Sequence, residues 1–312
     1  MNQETPQVVV VGSYVHDMKW RTNRFPVDGE AVLGEFYDDP GGKGTNQAVA
    51  AARLEAPTAF VGGIGRDLLG EGARKLFASE GIQAHLLEVD SPTGTASIQI
   101  DDSGQNRIVV DLGANFQWKP DQMPDDLLTR SKVVICQCEI NPETTERALC
   151  LGRKGGAITI LNPAPFSDKF RHDFLPYVDA LIPNESEFSA LLASLDSTKE
   201  LFVSPEEVAD LSDDELRRRC WAIPVPTIIV TLGERGCFLS SAEVGQRFTP
   251  DPGIQAIDTV GAGDAFVGGL AVSMTRTPDW SAAVAFATKV AGLAVQRKGS
   301  ALAMPRLGEL EE

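Results

Sequence analysis

The sequence predicts an α/β fold with a mainly parallel central sheet and a small β-sheet lid, and three observations carry that expectation. Short apolar runs rich in β-branched residues recur along the chain, helical stretches separate them, and two segments interrupt the alternation. The first run, residues 8–12, is continuously apolar and ends in Gly-Ser, as in a strand covered on both faces. Residues 14–40, rich in Pro, Gly and charge, form the first interruption. A helix is expected over 47–54 and a second buried strand over 58–62. The second interruption, 94–113, reads as a hairpin in which TASIQI and RIVVDL flank the turn Asp101-Asp102-Ser103-Gly104. Neither interruption has a helix to cover it, so the two together make a small projecting sheet, read as a lid. Strands then follow over 132–137, 157–161, 180–183 and 227–231, with a helix over 142–153. Residues 194–219 read as a surface helical insertion, with Ser204 as N-cap, Pro205 at the first helical position and Glu207 three residues after the cap. The expectation is a single domain over 1–312, with a lid built from about 14–40 and 94–113.

Composition narrows the function. The 312 residues carry 44 Asp+Glu against 28 Lys+Arg, a formal net charge of −16, so the average surface repels nucleic acid and anionic lipid. No nucleic-acid or membrane partner is expected. A small anionic substrate would need a local device: backbone N–H groups, a helix N-terminus or a bound cation. The five cysteines are odd in number and include no C-x-x-C, and the N-terminal stretch has no basic signal region, which fits a reduced cytoplasm. No apolar run reaches the roughly 18 to 20 residues that span a bilayer. Cys136 and Cys138 alternate along a strand, so burial is expected for them. His16, His85 and His172 show neither metal-ligand spacing nor a nucleophile triad. Trp20 and Phe25 are read as packing residues of the lid.

The densest chemical signal is Asp258-Thr-Val-Gly-Ala-Gly-Asp264, followed by an apolar helical stretch to about Met274. Gly261, Ala262 and Gly263 lack bulk, so their amides can close around an oxyanion at the positive end of the helix. Asp264 then falls in the first turn. A carboxylate beside an anion hole repels phosphate, but it is suited to take the proton of a hydroxyl that attacks phosphate. An isolated Gly-x-Gly-Asp would more simply be a helix start with a capping acid. The dinucleotide reading fails because the third fingerprint glycine is missing and too little chain follows for a full unit. A second glycine turn, Gly41-Gly42-Lys43-Gly44-Thr45-Asn46, also opens a helix; Gly44 after Lys43 departs from the Walker A pattern. It is either a tight turn with a solvent lysine or a backbone cradle whose Lys43 and Asn46 donate to a polyhydroxylated ligand.

Taken together, these two segments resemble the signatures of the ribokinase-like carbohydrate kinases, the phosphofructokinase-B type. Asn162-Pro-Ala-Pro165, Pro183-Asn-Glu-Ser-Glu187, Thr231-Leu-Gly-Glu-Arg-Gly236 and Arg297-Lys-Gly299 fall in the family's order and spacing, so the likeness spans nearly the whole chain. The resemblance implies a three-layer α/β/α sandwich with a β lid that transfers the γ-phosphoryl of ATP to a hydroxyl of a small sugar. It further implies Asp264 as base with Gly261, Ala262 and Gly263 as anion hole. Asn184 and Glu187 would organise Mg²⁺ and phosphates, and Thr231, Gly233 and Gly236 would line the nucleotide site. Asp258, Val260, Ala294, Arg297 and Gly299 would surround an activating K⁺, largely through backbone carbonyls, although Ala303 stands where the family completes that shell with Ser. On the sugar side it implies Asp17, Gly42, Lys43, Asn46 and Glu139, and a homodimer through the lid. Val15 departs from the pattern, because the family has an amide there; losing a hydroxyl partner moves substrate preference. A deoxygenated sugar, a ketohexose or a nucleoside is then an alternative acceptor, and a non-catalytic sugar sensor is a more distant one.

Overall fold

The computed structural model describes residues 5–195 and 200–310. In chain order the strands are β1 (Val8–Val11), β2 (Val15–Arg21), β3 (Glu35–Gly41), β4 (Thr58–Gly65), β5 (Gln83–Val89), β6 (Gly94–Ile100), β7 (Asn106–Asp111), β8 (Val133–Cys136), β9 (Ile158–Leu161), β10 (Ala180–Leu181), β11 (Thr227–Thr231), β12 (Cys237–Ser240) and β13 (Gly245–Phe248). The helices are α1 (Lys43–Arg53), α2 (Leu68–Ser79), α3 (Asp125–Thr129), α4 (Pro142–Gly155), α5 (Glu185–Leu195), α6 (Pro205–Val208), α7 (Asp213–Cys220), α8 (Ala262–Arg276) and α9 (Trp280–Ala294).

Among the described residues, nine strands form the main sheet in the order β13-β12-β11-β10-β9-β8-β1-β4-β5. It is parallel from β11 to β5, and β12 and β13 extend one edge antiparallel. Strand alternation sends Val8 and Val10 into one apolar layer and Val9 and Val11 into the other. The first layer packs under α1, α2, α8 and α9 through Leu54, Phe77, Leu270 and Val290; the second packs under α4, α5 and α7 through Leu149, Phe188 and Leu216. This is the expected three-layer α/β/α sandwich. A continuous run such as VVVV follows directly from a central parallel strand covered on both faces.

The two interruptions meet in a separate four-stranded sheet ordered β3-β2-β6-β7. The hairpin β6–β7 pairs as its turn chemistry predicts, and β2 runs parallel to β6 while antiparallel to β3. Val15, Ala96 and Ile98 form this sheet's own apolar cluster. Trp20 packs its ring against Phe36, with centroids 5.3 Å apart, and the Arg107 guanidinium lies over Phe25 at 4.2 Å.

Several expectations change in detail. Strands β5 and β13 carry mixed side chains and give no strong apolar run, and β12 is a buried strand of only four residues. Helix α1 begins at Lys43 instead of Gln47, because the glycine turn ends strand β3 one residue before the helix. Cys136 closes β8, and Cys138 lies beyond the strand, where its thiol is still pushed up to about 12, chiefly by burial. The expected insertion over 194–219 includes residues 196–199, which lie outside the described residues. The rest carries the Ser204/Glu207 capping box at α6, yet it is not purely superficial. Val203, Val208, Leu216 and Cys220 belong to the second apolar layer; α7 covers the sheet where β12 and β13 extend it, and α6 packs against α5.

Candidate active site

Helices α1 and α8 bring the two glycine turns together. A Cβ on Gly268 would stand 2.6 Å from the Cβ of Ala50, so the absent side chain sets how closely the helices approach. That approach carries Asn46 and Gln47 on α1 to Asp264 in the first turn of α8. Asn46 Nδ2 donates to Asp264 Oδ2 at 2.8 Å, and Gln47 Nε2 donates to Asp264 Oδ1 at 2.8 Å. Gly261 caps α8 in the left-handed conformation, φ 78°, which glycine adopts without the strain a Cβ would bring.

Asp264 is 6% exposed, and burial raises its carboxyl above the usual range against the opposing pull of Lys43 and the two amides. Burial works against the charge of Lys43, but Asp264, Glu139 and Glu187 around it hold its pKa above the ordinary lysine value. Glu139 accepts from the backbone N–H of Lys43 at 2.9 Å and from the hydroxyl of Ser13. Three carboxylates thus share one ammonium, which leaves a net negative site that a phosphate can enter only with further cationic or N–H support.

A cleft of about 880 Å³ opens on one side of this group. Lys43, Asn184, Glu187, Thr231, Gly233, Gly236, Gly261, Ala262, Gly263 and Asp264 line it, so the residues expected for nucleotide, phosphate and base share one cavity. Asn184 and Glu187 cap α5 reciprocally: Asn184 N–H donates to Glu187 Oε2 at 3.0 Å, and Glu187 N–H donates to Asn184 Oδ1 at 2.9 Å. Burial, foremost, raises the Glu187 carboxyl. Among the described residues no three His, Cys, Asp or Glu side chains group to ligate a metal. A Mg²⁺ that arrives with phosphates and keeps its waters needs no such group, and the lone buried carboxylate of Glu187 fits that mode.

Asp17, Gly42, Asn46 and Glu139 do not line the large cleft. Asp17 is 8% exposed, and burial pushes its carboxyl up to about 6, with Lys19 opposing and Glu139 and Asp39 adding to the rise. Lys43 and Asp264, which line the cleft, connect it to this group, because Lys43 N–H donates to Glu139 and Asn46 donates to Asp264. Val15 is buried in the apolar cluster of the small sheet with Ala96 and Ile98.

The residues expected around a cation also assemble. Asp258 Oδ1 accepts from Val260 N–H at 3.0 Å and Oδ2 from Gly299 N–H at 3.1 Å, while Arg297 N–H donates to the Ala294 carbonyl at 3.1 Å. The Arg297 side chain turns away to Glu309, with one contact of 2.6 Å, so only its backbone remains toward the group. Ala303 is buried nearby and offers no hydroxyl.

Three features escaped the sequence reading. Lys19, 5% exposed, donates to Asp39 at 3.0 Å and lies 3.9 Å from Asp17; its placement follows from the alternation along β2 that buries Val15, Asp17 and Lys19 together. Gln47 and Gln137 join Asp264 through side-chain amides, and nothing in the local sequence marks either one. Ser13 links the end of β1 to Glu139 and to the backbone of Gly44.

A buried carboxylate in the first turn of a helix, beside the small residues Gly261 to Gly263 and on a nucleotide-sized cleft, fits a phosphotransferase acting on a hydroxyl. The family model "pfkB family carbohydrate kinase" matches residues 5–307, and the chain belongs to this family and thereby to the ATP-dependent sugar kinases. It is 36% identical over 285 residues to the ribokinase of Mus musculus, covering 89% of this chain and 85% of the relative. It is 31% identical to the ribokinase of Schizosaccharomyces pombe, over 97% of this chain and 96% of that one. The solved structure of Arabidopsis thaliana ribokinase complexed with ribose and ATP superposes with a TM-score of 0.87 at 28% identity, covering 98% of each chain. No helix among the described residues is long and apolar enough to cross a membrane.

Proposed function

We propose that this kinase phosphorylates a pentose, with Asp264 as general base and the amides of Gly261, Ala262 and Gly263 as the anion hole. The observation that carries this reading is a buried carboxylate in the first turn of α8, fixed by two amide donors and lining the 880 Å³ cleft. Asp17, Gly42, Lys43, Asn46 and Glu139 hold the sugar, and Asn184, Thr231, Gly233 and Gly236 line the nucleotide. Asp264 takes the proton of the acceptor hydroxyl as its oxygen bonds to the γ-phosphorus; the bond to the bridging oxygen breaks, and ADP leaves with that electron pair. The helix terminus and Lys43 stabilise negative charge on the transferred group. Glu187, with Asn184, would hold Mg²⁺ against the phosphates, and that ion would supply charge neutralisation when bound. A monovalent cation ringed by Asp258, Val260, Ala294, Arg297 and Gly299 would steady the turn that leads into Gly261.

The small sheet acts as the lid. Its exposed Phe36, Ile108, Val109 and Val110 support pairing with the lid of a second copy. Val15 favours one further reading, an acceptor that lacks a hydroxyl at the contacted carbon, because an apolar side chain leaves no partner unpaired there. An ADP-release assay over ribose, its deoxy form, ketohexoses and nucleosides tests the class and the acceptor together. Turnover confined to nucleosides would overturn the pentose reading, and undiminished turnover by Asp264→Asn would overturn the role of the base.

A further inference from the structure

The amide of Gln47 that meets Asp264 is itself held by a second buried amide. Gln137, just beyond β8, donates from Nε2 to Gln47 Oε1 at 2.6 Å, and both residues are 0% exposed. Charge logic sets the direction of the chain. An ionised carboxylate only accepts, so Gln47 presents Nε2 to Asp264, and its Oε1 must face a donor. Asn162 reinforces this orientation: its Oδ1 accepts from the same Gln47 Nε2 at 3.3 Å, and its own Nδ2 is committed to the Ile182 carbonyl at 2.8 Å.

The orientation has a visible cost. Gln137 Oε1 is buried without a hydrogen-bond partner, turned against Gly12, where a Cβ would stand 2.1 Å from it. Rotating the Gln137 amide would turn this oxygen toward Gln47 Oε1, acceptor against acceptor, so the structure keeps an orphaned oxygen to preserve the donor.

We infer that Gln137 is a positioning residue for the transfer: through Gln47 it fixes which face of an amide Asp264 meets, and so keeps that carboxylate charged and aimed. This rests on Asp264 being the base. The groups that face Asp264 are Lys43 and Asn46, which favour its charge, and Glu139 and Glu187, which oppose it. Gln47 donates to the second carboxylate oxygen, Oδ1, and its own orientation is set by Gln137.

The test compares Gln137→Glu and Gln137→Met with the full-length wild-type enzyme in kcat and KM profiles over pH, with Asp264→Asn run alongside. Glu replaces the donor with an acceptor of the same shape, which turns Gln47 and sets its Oε1 against Asp264. The acid limb of kcat then moves up by about one pH unit and kcat at neutral pH falls about tenfold, while KM for ATP and sugar holds. Met withdraws the donor without reversing it, moves the limb the same way by less, and keeps the inference testable if the Glu variant does not fold. Acid limbs that superimpose on wild type, or a fall in kcat with the limb in place, would overturn the relay. Full activity in Asp264→Asn would overturn the base itself, and the relay with it.

Discussion

Replacing Gly263 with Ala separates chemistry from stability. Gly263 sits in the first turn of α8 and lines the cleft, and a Cβ built on it meets nothing within 4 Å. Alanine therefore enters without a clash and gains up to about 1 kcal/mol of helix propensity, which raises the melting temperature by roughly 2 °C in a chain of this size. The same methyl group occupies the space where phosphoryl oxygens must approach the backbone amides. Losing one such contact costs about 10² in kcat, or about 2.7 kcal/mol of transition-state stabilisation. Gly261→Ala makes the contrast: φ is 78°, so the substitution costs about 1–2 kcal/mol of backbone strain, and its Cβ meets the Met304 methyl at 3.2 Å. The assay pairs ADP release at saturating ATP and sugar with a thermal melt of both variants. The reasoning is refuted if Gly263→Ala keeps kcat within about threefold of wild type, or if it melts well below wild type.

Further expectations concern the sugar side, the cation and the C-terminal tie. In the proposed role Asp17 accepts sugar hydroxyls as a carboxylate, so KM for the sugar is expected to rise as pH falls through about 6 while KM for ATP does not; initial rates from pH 5 to 8 check this. Because its folded pKa is raised, Asp17 stabilises the fold fully only below its unfolded pKa and loses that contribution as pH rises through about 6, so Asp17→Asn gains on wild type in melts above that pH. Lys19→Met removes the cation that opposes the rise, and the sugar KM limb moves to higher pH; an unmoved limb would dissociate Lys19 from Asp17. A KCl titration in buffer free of K⁺ and Na⁺ is expected to raise kcat, and a flat response would remove the monovalent cation. Arg53 pairs with half-buried Glu80 at 2.6 Å and donates to the Leu302 and Met304 carbonyls, so Arg53→Met leaves Glu80 with Arg306 at 3.9 Å and costs about 1 kcal/mol in denaturant unfolding.

What could be read from the chain depended on whether the signal was local. The glycine turns announced themselves because missing side chains and a first-turn acid have meaning wherever they fall, and both proved to be helix N-termini. The VVVV run foretold a doubly covered strand for the same reason. Gln47 and Gln137 stayed silent: a glutamine acquires a role only when tertiary packing sets a carboxylate and a second amide beside it, here 217 and 90 residues away in sequence. Lys19 was equally hidden, since a lysine on an alternating strand reads as surface until its partners Asp17 and Asp39 are placed. Strands β5 and β13 lacked apolar runs because they occupy the sheet's edges, where fewer side chains are covered.

The most direct measurement is a crystal structure of the enzyme with a pentose and a non-hydrolysable ATP analogue. A carboxylate oxygen of Asp264 is predicted about 2.6–3.2 Å from the acceptor hydroxyl, with the γ-phosphate capped by the amides of Gly261 to Gly263. A closed complex in which that carboxylate contacts neither hydroxyl nor phosphate, while another group reaches the hydroxyl, would contradict it.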